Sequence, residues 1–215
     1  MVSEKINYSY KPHFFEFDAW GKSQYVCGID EVGRGSLVGP VVASAVILNI
    51  NAFNDIIKDS KILNDMQKEE AYRWIINNSI FSSSFISSNI IDRVNIYNAT
   101  IISMKRALYQ LLINTNNKLI KYILIDSMPL NISIDNVKFK NTQILSFNYG
   151  ESYSISIAAA SIIAKITRDN LMKRLDNYFK DYDLKNNKGY CVDKHKNSIK
   201  IFGKSIIHRN SFFIK

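Results

Sequence analysis

Two short apolar runs of this chain end in carboxylates: Tyr25-Val-Cys-Gly-Ile-Asp30, with Glu31 directly after it, and Tyr122-Ile-Leu-Ile-Asp126. Each run reads as a buried strand of a sheet. A carboxylate at the end of such a strand is costly to desolvate unless something pairs with it. The first acid pair is followed at once by Gly33-Arg34-Gly35 and then by Gly39-Pro40. Acids from separate strands, beside a glycine-rich turn where backbone can approach a ligand, suggest a divalent-cation site that works on phosphate.

The chain has 215 residues, enough for one domain that buries roughly 70% of the surface its unfolded form exposes without a disulfide or structural metal. Cys27 and Cys191 are its only cysteines, in no metal-ligand spacing, so a reducing compartment and a cytoplasmic location are expected. No run approaches the roughly 18 apolar residues of a membrane span, and Met-Val-Ser-Glu-Lys lacks the apolar stretch of a signal peptide. The formal net charge is +9, unevenly spread. Lys165 to Lys215 holds 13 Lys/Arg against 5 Asp/Glu, leaving 15 against 14 for everything before it. A basic C-terminal quarter on a near-neutral body suggests a track for a polyanion; the plain alternative is a solvated lysine-rich face.

Residues 1–23 are polar and aromatic without clear period and read as an extension laid on the domain. After Tyr25–Asp30 and the glycine turn, Val41–Leu48 reads as a second strand and hairpin partner of the first. A helix is expected from Asp65 to about Asn77, capped by Asn64 or Asp65, and a weakly alternating strand from Phe81 to Ser88. Val94, Tyr97, Ile101, Met104, Leu108 and Leu111 form an apolar stripe at helical spacing. Lys121–Asp126 and Thr142–Phe147 are the next strands, and Ile157-Ala-Ala-Ala-Ser-Ile-Ile-Ala164 opens a long helix to about Lys180. Its small residues would let it sit close against the sheet. A last helix, Asp193–Phe202, is expected to be capped by Asp193 and stopped by Gly203. One α/β domain accounts for these elements.

Consecutive strand residues point to opposite faces, so Asp30 and Glu31 share a site only if the strand ends or bulges there. Gly33-Arg34-Gly35 supplies such a break. Asp126 is followed by Ser127 and Pro129, which stop its pairing too. Carboxylates meeting at one end of a sheet repel unless cations neutralise them, and oxygen-only ligation favours Mg²⁺ or Mn²⁺ over zinc. The plain alternative for any single acid is a loop cap or a lysine partner.

Gly28-Ile-Asp-Glu-Val-Gly-Arg-Gly-Ser-Leu-Val-Gly-Pro-Val-Val-Ala43 resembles the opening motif of the type 2 ribonucleases H, bacterial ribonuclease HII in particular. The likeness continues in order. Asp59-Ser60-Lys61-Ile-Leu63 is similar to the family's aspartate-serine-lysine segment, and Ile91-Asp-Arg-Val-Asn-Ile96 with Ala99-Thr100 and Met104-Lys-Arg-Ala107 to its central helix. Ala159-Ala-Ser-Ile-Ile-Ala-Lys165 with Arg168-Asp169 is similar to the following helix; Asn187-Lys-Gly-Tyr190 and His208-Arg-Asn-Ser-Phe212 close the set. Five ordered blocks over residues 25–212 are specific in a way one glycine motif is not.

The resemblance implies an RNase H-like α/β fold, a mixed β-sheet flanked by helices, with residues 24–215 as the catalytic domain and a C-terminal helical segment. It implies endonucleolytic cleavage of RNA in RNA–DNA hybrids and at ribonucleotides in duplex DNA, with Mn²⁺ or Mg²⁺. Asp30, Glu31 and Asp126 match three of the family's four metal-binding catalytic acids. The fourth, usually aspartate, falls at Glu151, whose extra methylene puts metal placement in question. By position the resemblance implies that Gly33, Arg34 and Gly35 read the 2′-hydroxyl through backbone and that Tyr190 stacks on the next, deoxy sugar; the plain alternatives are a tight turn and a packing tyrosine. Lys61, Lys165 and Arg168 are candidates for phosphate contacts, and His195 and His208 are read as structural. The short stretch before the first motif favours type 2 over type 3, which carries an extra N-terminal domain. A monomer is expected, and the terminal Ser-Phe-Phe-Ile-Lys is a candidate contact for a replication clamp. Two rivals stand beside this reading: a hybrid-binding protein silenced at Glu151, and another polynucleotidyl transferase of the same fold, such as a junction resolvase.

Overall fold

The computed structural model describes residues 4–5, 12–57, 62–115, 119–130 and 141–213. Among these, six strands form one mixed sheet: β1 (Glu4–Lys5), β2 (Tyr25–Val32), β3 (Val41–Leu48), β4 (Ser79–Ile86), β5 (Ile120–Asp126) and β6 (Gln143–Phe147). They lie side by side in the order β1-β6-β5-β2-β3-β4. β2, β3 and β4 make an antiparallel meander, so the hairpin expected after the glycine turn is present. β5 runs parallel to β2, and β6 parallel to β5. The helices are α1 (Phe14–Trp20), α2 (Asp65–Asn78), α3 (Ser88–Ile113), α4 (Ile155–Asp176), α5 (Leu184–Asn187) and α6 (Asp193–Phe202).

Strand alternation sorts the core into two layers. Cys27, Ile29, Ala45, Ile47, Ile123 and Ile125 meet Met104, Leu108 and Leu111 of α3. On the other face Val46 and Leu48 meet α2 and α4, while Val26 and Leu124 pack with Ile157 and with Phe15 of α1. The expected stripe on α3 holds for Met104, Leu108 and Leu111, all fully buried, but Tyr97 is 45% exposed. A break explains the difference. Asn95 leaves helical geometry at φ 63, ψ 166, and its side chain accepts from the Asn98 N–H, so the helix restarts there with a new cap. Asn64 caps α2 in a reciprocal pair with Gln67, one of the two expected caps. At α6 the cap is Val192; Asp193 sits one place later, in the first turn, where its charge meets the helix dipole.

α4 is apolar on nearly every side from Ile155 to Ala164 and lies against β2. It ends at Asp176, ahead of the expected Lys180, and a short 3₁₀ turn follows at Lys180–Tyr182. The described part of residues 1–23 differs from a surface extension. α1 buries Phe15, Ala19 and Trp20, and Glu4–Lys5 adds a strand parallel to β6. Two helical turns are too short to show a period in sequence.

α1 also supplies Glu16, fully buried, whose Oε1 accepts from the Ser154 hydroxyl at 2.5 Å and the Ser156 N–H at 3.1 Å. Ser154 in turn caps α4 by accepting from the Ile157 N–H. Glu16→Ala would strand two buried donors at a helix start. It is expected to cost about 2 kcal/mol in urea unfolding, against little change for an exposed α1 residue such as Phe17.

Candidate active site

β2 neither ends nor bulges at Asp30 and Glu31; it stays paired with β3 as far as Val32. What stops is its other neighbour. Pairing between β2 and β5 runs only to Ile29 and Ile125, so both acids stand where the sheet has opened on the β5 side, and Asp126 is the last residue of β5. A turn with Ser127 at φ 56 ends that strand. Asp30, Glu31 and Asp126 line one cleft of about 460 Å³ with Lys68, Ser161, Lys165 and Tyr190.

The electrostatics are those of crowded, desolvated anions. Asp30 is buried, and burial together with the charges of Glu31 and Asp126 holds its carboxyl well above the usual range, against a hydrogen bond from Ser161. Burial pushes Glu31 up to about 7, with Arg34 opposing from 3.3 Å and Asp126 adding to the rise. Asp126 is oriented by the Gly150 N–H at 2.7 Å and the Ser127 hydroxyl at 3.2 Å. Hard oxygen donors that resist sharing their charge in a half-closed cleft fit divalent cations of the Mg²⁺ or Mn²⁺ kind. As they stand, no three His, Cys, Asp or Glu side chains among the described residues lie close enough to hold a metal ion.

Glu151 is not brought into the same cleft. It sits on the 3₁₀ turn Gly150–Ser152, whose first N–H holds Asp126, and lines a neighbouring cavity with His13, Phe53, Asp55 and Ile57.

The folded proton on Glu31 has a consequence for stability. Its affinity exceeds that of the unfolded chain, whose value is 4.5, so the contribution is complete below that pH and is lost as pH rises through about 7. Glu31→Gln is therefore expected to stabilise the cation-free protein by about 2 kcal/mol near pH 8 and hardly at all near pH 4. Urea titrations at the two pH values check this.

The glycine turn is built from behind by two fully buried arginines. Arg168 donates to the carbonyls of Pro40, Lys188 and Val38 and to Ser36 Oγ. Arg209 donates to the carbonyls of Gly39, Arg34 and Gly33. Arg168 therefore corrects the expectation of a phosphate contact: its buried guanidinium is spent on three carbonyls and the Ser36 hydroxyl. Gly33, at φ 92, is required twice over, since a Cβ there would also lie 2.3 Å from Arg168 Nε. At Gly35 a Cβ would meet nothing within 4 Å, so that side of the turn is open. Tyr190 is half-buried in the cleft with Lys165 and Arg168 facing its ring at 6.0 and 5.5 Å. Lys165, a candidate for a phosphate contact, lines the cleft and also pairs with Asp169. Lys61, with the Asp59-Ser60 that precedes it, lies outside the described residues, as do Ile214 and Lys215 of the proposed clamp contact.

Lys68, Ser161 and Arg209 join the site without having been singled out individually. Ser161 and Arg209 lie inside the blocks of family likeness, but only the fold shows that one faces an acid and the other a carbonyl cluster. Lys68 reads in sequence as one charge of a solvated helix turn.

Residues 27–215 match the family model described as Ribonuclease HII. The Ribonuclease HII of Listeria innocua is 44% identical over 190 residues, which is 88% of this chain and 68% of that protein. Among solved structures, the ribonuclease H2 of Pyrococcus horikoshii superposes with a TM-score of 0.68 at 24% identity, covering 88% of this chain and 94% of the other. The PCNA:RNase HII complex from Archaeoglobus fulgidus contains a chain with a TM-score of 0.68 at 20% identity, covering 89% and 96%. At such identities the two structures speak for the fold, a mixed sheet flanked by helices with a helical C-terminal region.

Proposed function

The chain belongs to the ribonuclease HII family, and from that premise we propose how its own residues perform the reaction. It is a metal-dependent endoribonuclease. It cleaves the RNA strand of RNA–DNA hybrids and incises at ribonucleotides within duplex DNA, leaving 5′-phosphate and 3′-hydroxyl ends. The observation that carries the residue assignment is the meeting of Asp30, Glu31 and Asp126 in one cleft with Tyr190, while Arg34 of the arginine-backed glycine turn bonds Glu31.

Asp30, Glu31 and Asp126 would hold the cations, with Glu151 joining from the adjoining turn; Mn²⁺ and Mg²⁺ are the ions the donor set suits. Two such ions supply activation of water and stabilisation of charge on the leaving oxygen. Gly33, Arg34 and Gly35 present rigid backbone to the 2′-hydroxyl, the group that separates RNA from DNA. Tyr190 offers a ring face to the sugar that follows, and Lys165 with Lys68 supplies positive charge to the phosphates. We further infer that residues 24–215 act as the catalytic domain of a cytoplasmic monomer. Because the Archaeoglobus fulgidus relative is described in complex with PCNA, the C-terminal residues from Ser211 onward are the candidate for a similar clamp contact.

The test is strand-specific incision of three duplexes that are identical except for the central nucleotides. With Mg²⁺ or Mn²⁺, the duplex bearing one ribonucleotide and the RNA–DNA hybrid should be cut and the all-DNA duplex left whole. Cutting of all-DNA would favour a resolvase-like enzyme, and binding without any cutting would favour a hybrid-binding protein.

A further inference from the structure

Behind the cleft, a chain of hydrogen bonds runs from Ser205 to Tyr190 through two buried imidazoles. The Ser205 N–H lies 2.9 Å from His208 Nδ1, His208 Nε2 lies 3.3 Å from His195 Nε2, and His195 Nδ1 lies 2.9 Å from the Tyr190 carbonyl oxygen. The two end groups decide every proton. A backbone N–H only donates, so His208 Nδ1 accepts and its hydrogen is on Nε2. A carbonyl only accepts, so His195 carries its hydrogen on Nδ1 and accepts at Nε2.

These tautomers complement each other only while both rings are neutral. A proton added to His195 sets two N–H groups head to head; one added to His208 sets Nδ1–H against the Ser205 N–H and reverses the bond that the Ser205 hydroxyl, 2.8 Å away, makes to Nδ1. The surroundings enforce neutrality. The Tyr182 ring packs on both imidazoles, 4.7 Å from His208, and Lys204 adds positive charge near them. Burial holds His195 below its ordinary range, and burial with the His195 and Lys204 charges brings His208 to about 4.

The same segment reaches the other way. Arg209, next to His208, ties the carbonyls of Gly33, Arg34 and Gly39, and its own N–H donates to the Leu37 carbonyl at 2.9 Å. Ser205–Arg209 thus touches the glycine turn with one residue and Tyr190, through the imidazole pair, with another. We propose that His195 and His208 are positioning residues. Their fixed-tautomer relay sets where Tyr190 stands relative to the Gly33-Arg34-Gly35 turn, and thereby the preference for a deoxynucleotide beside the ribonucleotide. The proposal rests on the reading of that turn and of Tyr190 given above. A stacking contact on one sugar and a backbone contact on its neighbour select a junction only if their spacing is held, and a misplacement of about 1 Å is enough to lose it.

The experiment measures kcat and KM on the single-ribonucleotide duplex and on the hybrid for wild type, His195→Phe, His195→Asn, Tyr190→Ala and the double variant His195→Phe with Tyr190→Ala. His195→Phe is expected to raise KM about tenfold on the single-ribonucleotide duplex, with much less change on the hybrid and in kcat. His195→Asn, which keeps a donor near the Nδ1 position, should recover most of that loss. The double variant should resemble Tyr190→Ala alone. If the two losses multiply, or if His195→Phe slows both substrates equally through kcat, the positioning role is wrong while the Tyr190 reading stands. If Tyr190→Ala leaves both substrates unchanged, it is the Tyr190 reading that fails. Should His195→Phe not fold, ¹⁵N spectra of wild-type histidines still decide. One protonated and one bare nitrogen in each buried ring, with the proton on Nδ1 of His195 and Nε2 of His208, is expected near pH 8; the opposite tautomer in either ring overturns the relay.

Discussion

Gly28→Ala is expected to destabilise the protein by at least about 4 kcal/mol, enough to leave little folded material at 37 °C. A Cβ at this position would lie 2.1 Å from the Ser156 carbonyl carbon, 2.2 Å from its oxygen and 2.4 Å from the Ile157 nitrogen. All three are backbone atoms of α4, so no side chain can swing aside. Overpacking a core by a methyl ordinarily costs about 1–3 kcal/mol because side chains and backbone share the strain. Here a helix buried on nearly every side would have to move by more than an ångström. That movement would also carry Ser161 away from Asp30 and Lys165 away from the cleft. Circular dichroism and urea unfolding read the result; a variant within about 1 kcal/mol of wild type would mean that α4 is not seated on β2 as described.

Asp126→Asn is expected to lower cleavage by about a thousandfold or more while leaving affinity for a hybrid within a few-fold. The substitution keeps the size of the side chain, and its Oδ1 can still accept from the Gly150 N–H. What it removes is one anion from a group of three. The transition state loses cation placement, whereas the ground-state complex with a polyanion loses a repulsion. Single-turnover cleavage and filter binding on one substrate separate the two effects. Retention of more than a tenth of the activity would take Asp126 out of the reacting centre, and parallel loss of binding and cleavage would assign it a structural role.

Much of this arrangement was legible in residues 25–48 and 120–126, because a buried strand that runs into an acid is a local contradiction only a ligand or partner resolves. How Asp30 and Glu31 come together is not legible in the same residues. Alternation demanded that the strand break, whereas β2 continues and it is β5 that stops beside it, a property of pairing register invisible in either strand alone. Arg168 misled for a related reason. A basic residue on a helix beside a phosphate site reads as a phosphate ligand, and its full burial depends on Pro40, Val38 and Lys188 closing over it from distant parts of the chain. α1 was missed because two turns cannot display a period, and Glu16 with it. Glu151 is the fourth acid expected by position, and it lies on the turn that holds Asp126 while lining a neighbouring cavity.

Diffraction from crystals soaked in manganese, recorded at the manganese absorption edge, tests most directly whether these acids act as one site. Anomalous density is expected between the carboxylates of Asp30, Glu31 and Asp126, which line one cleft. Density only at surface carboxylates such as Asp65 or Asp193, or none at all, would contradict the assignment of these acids to one metal site.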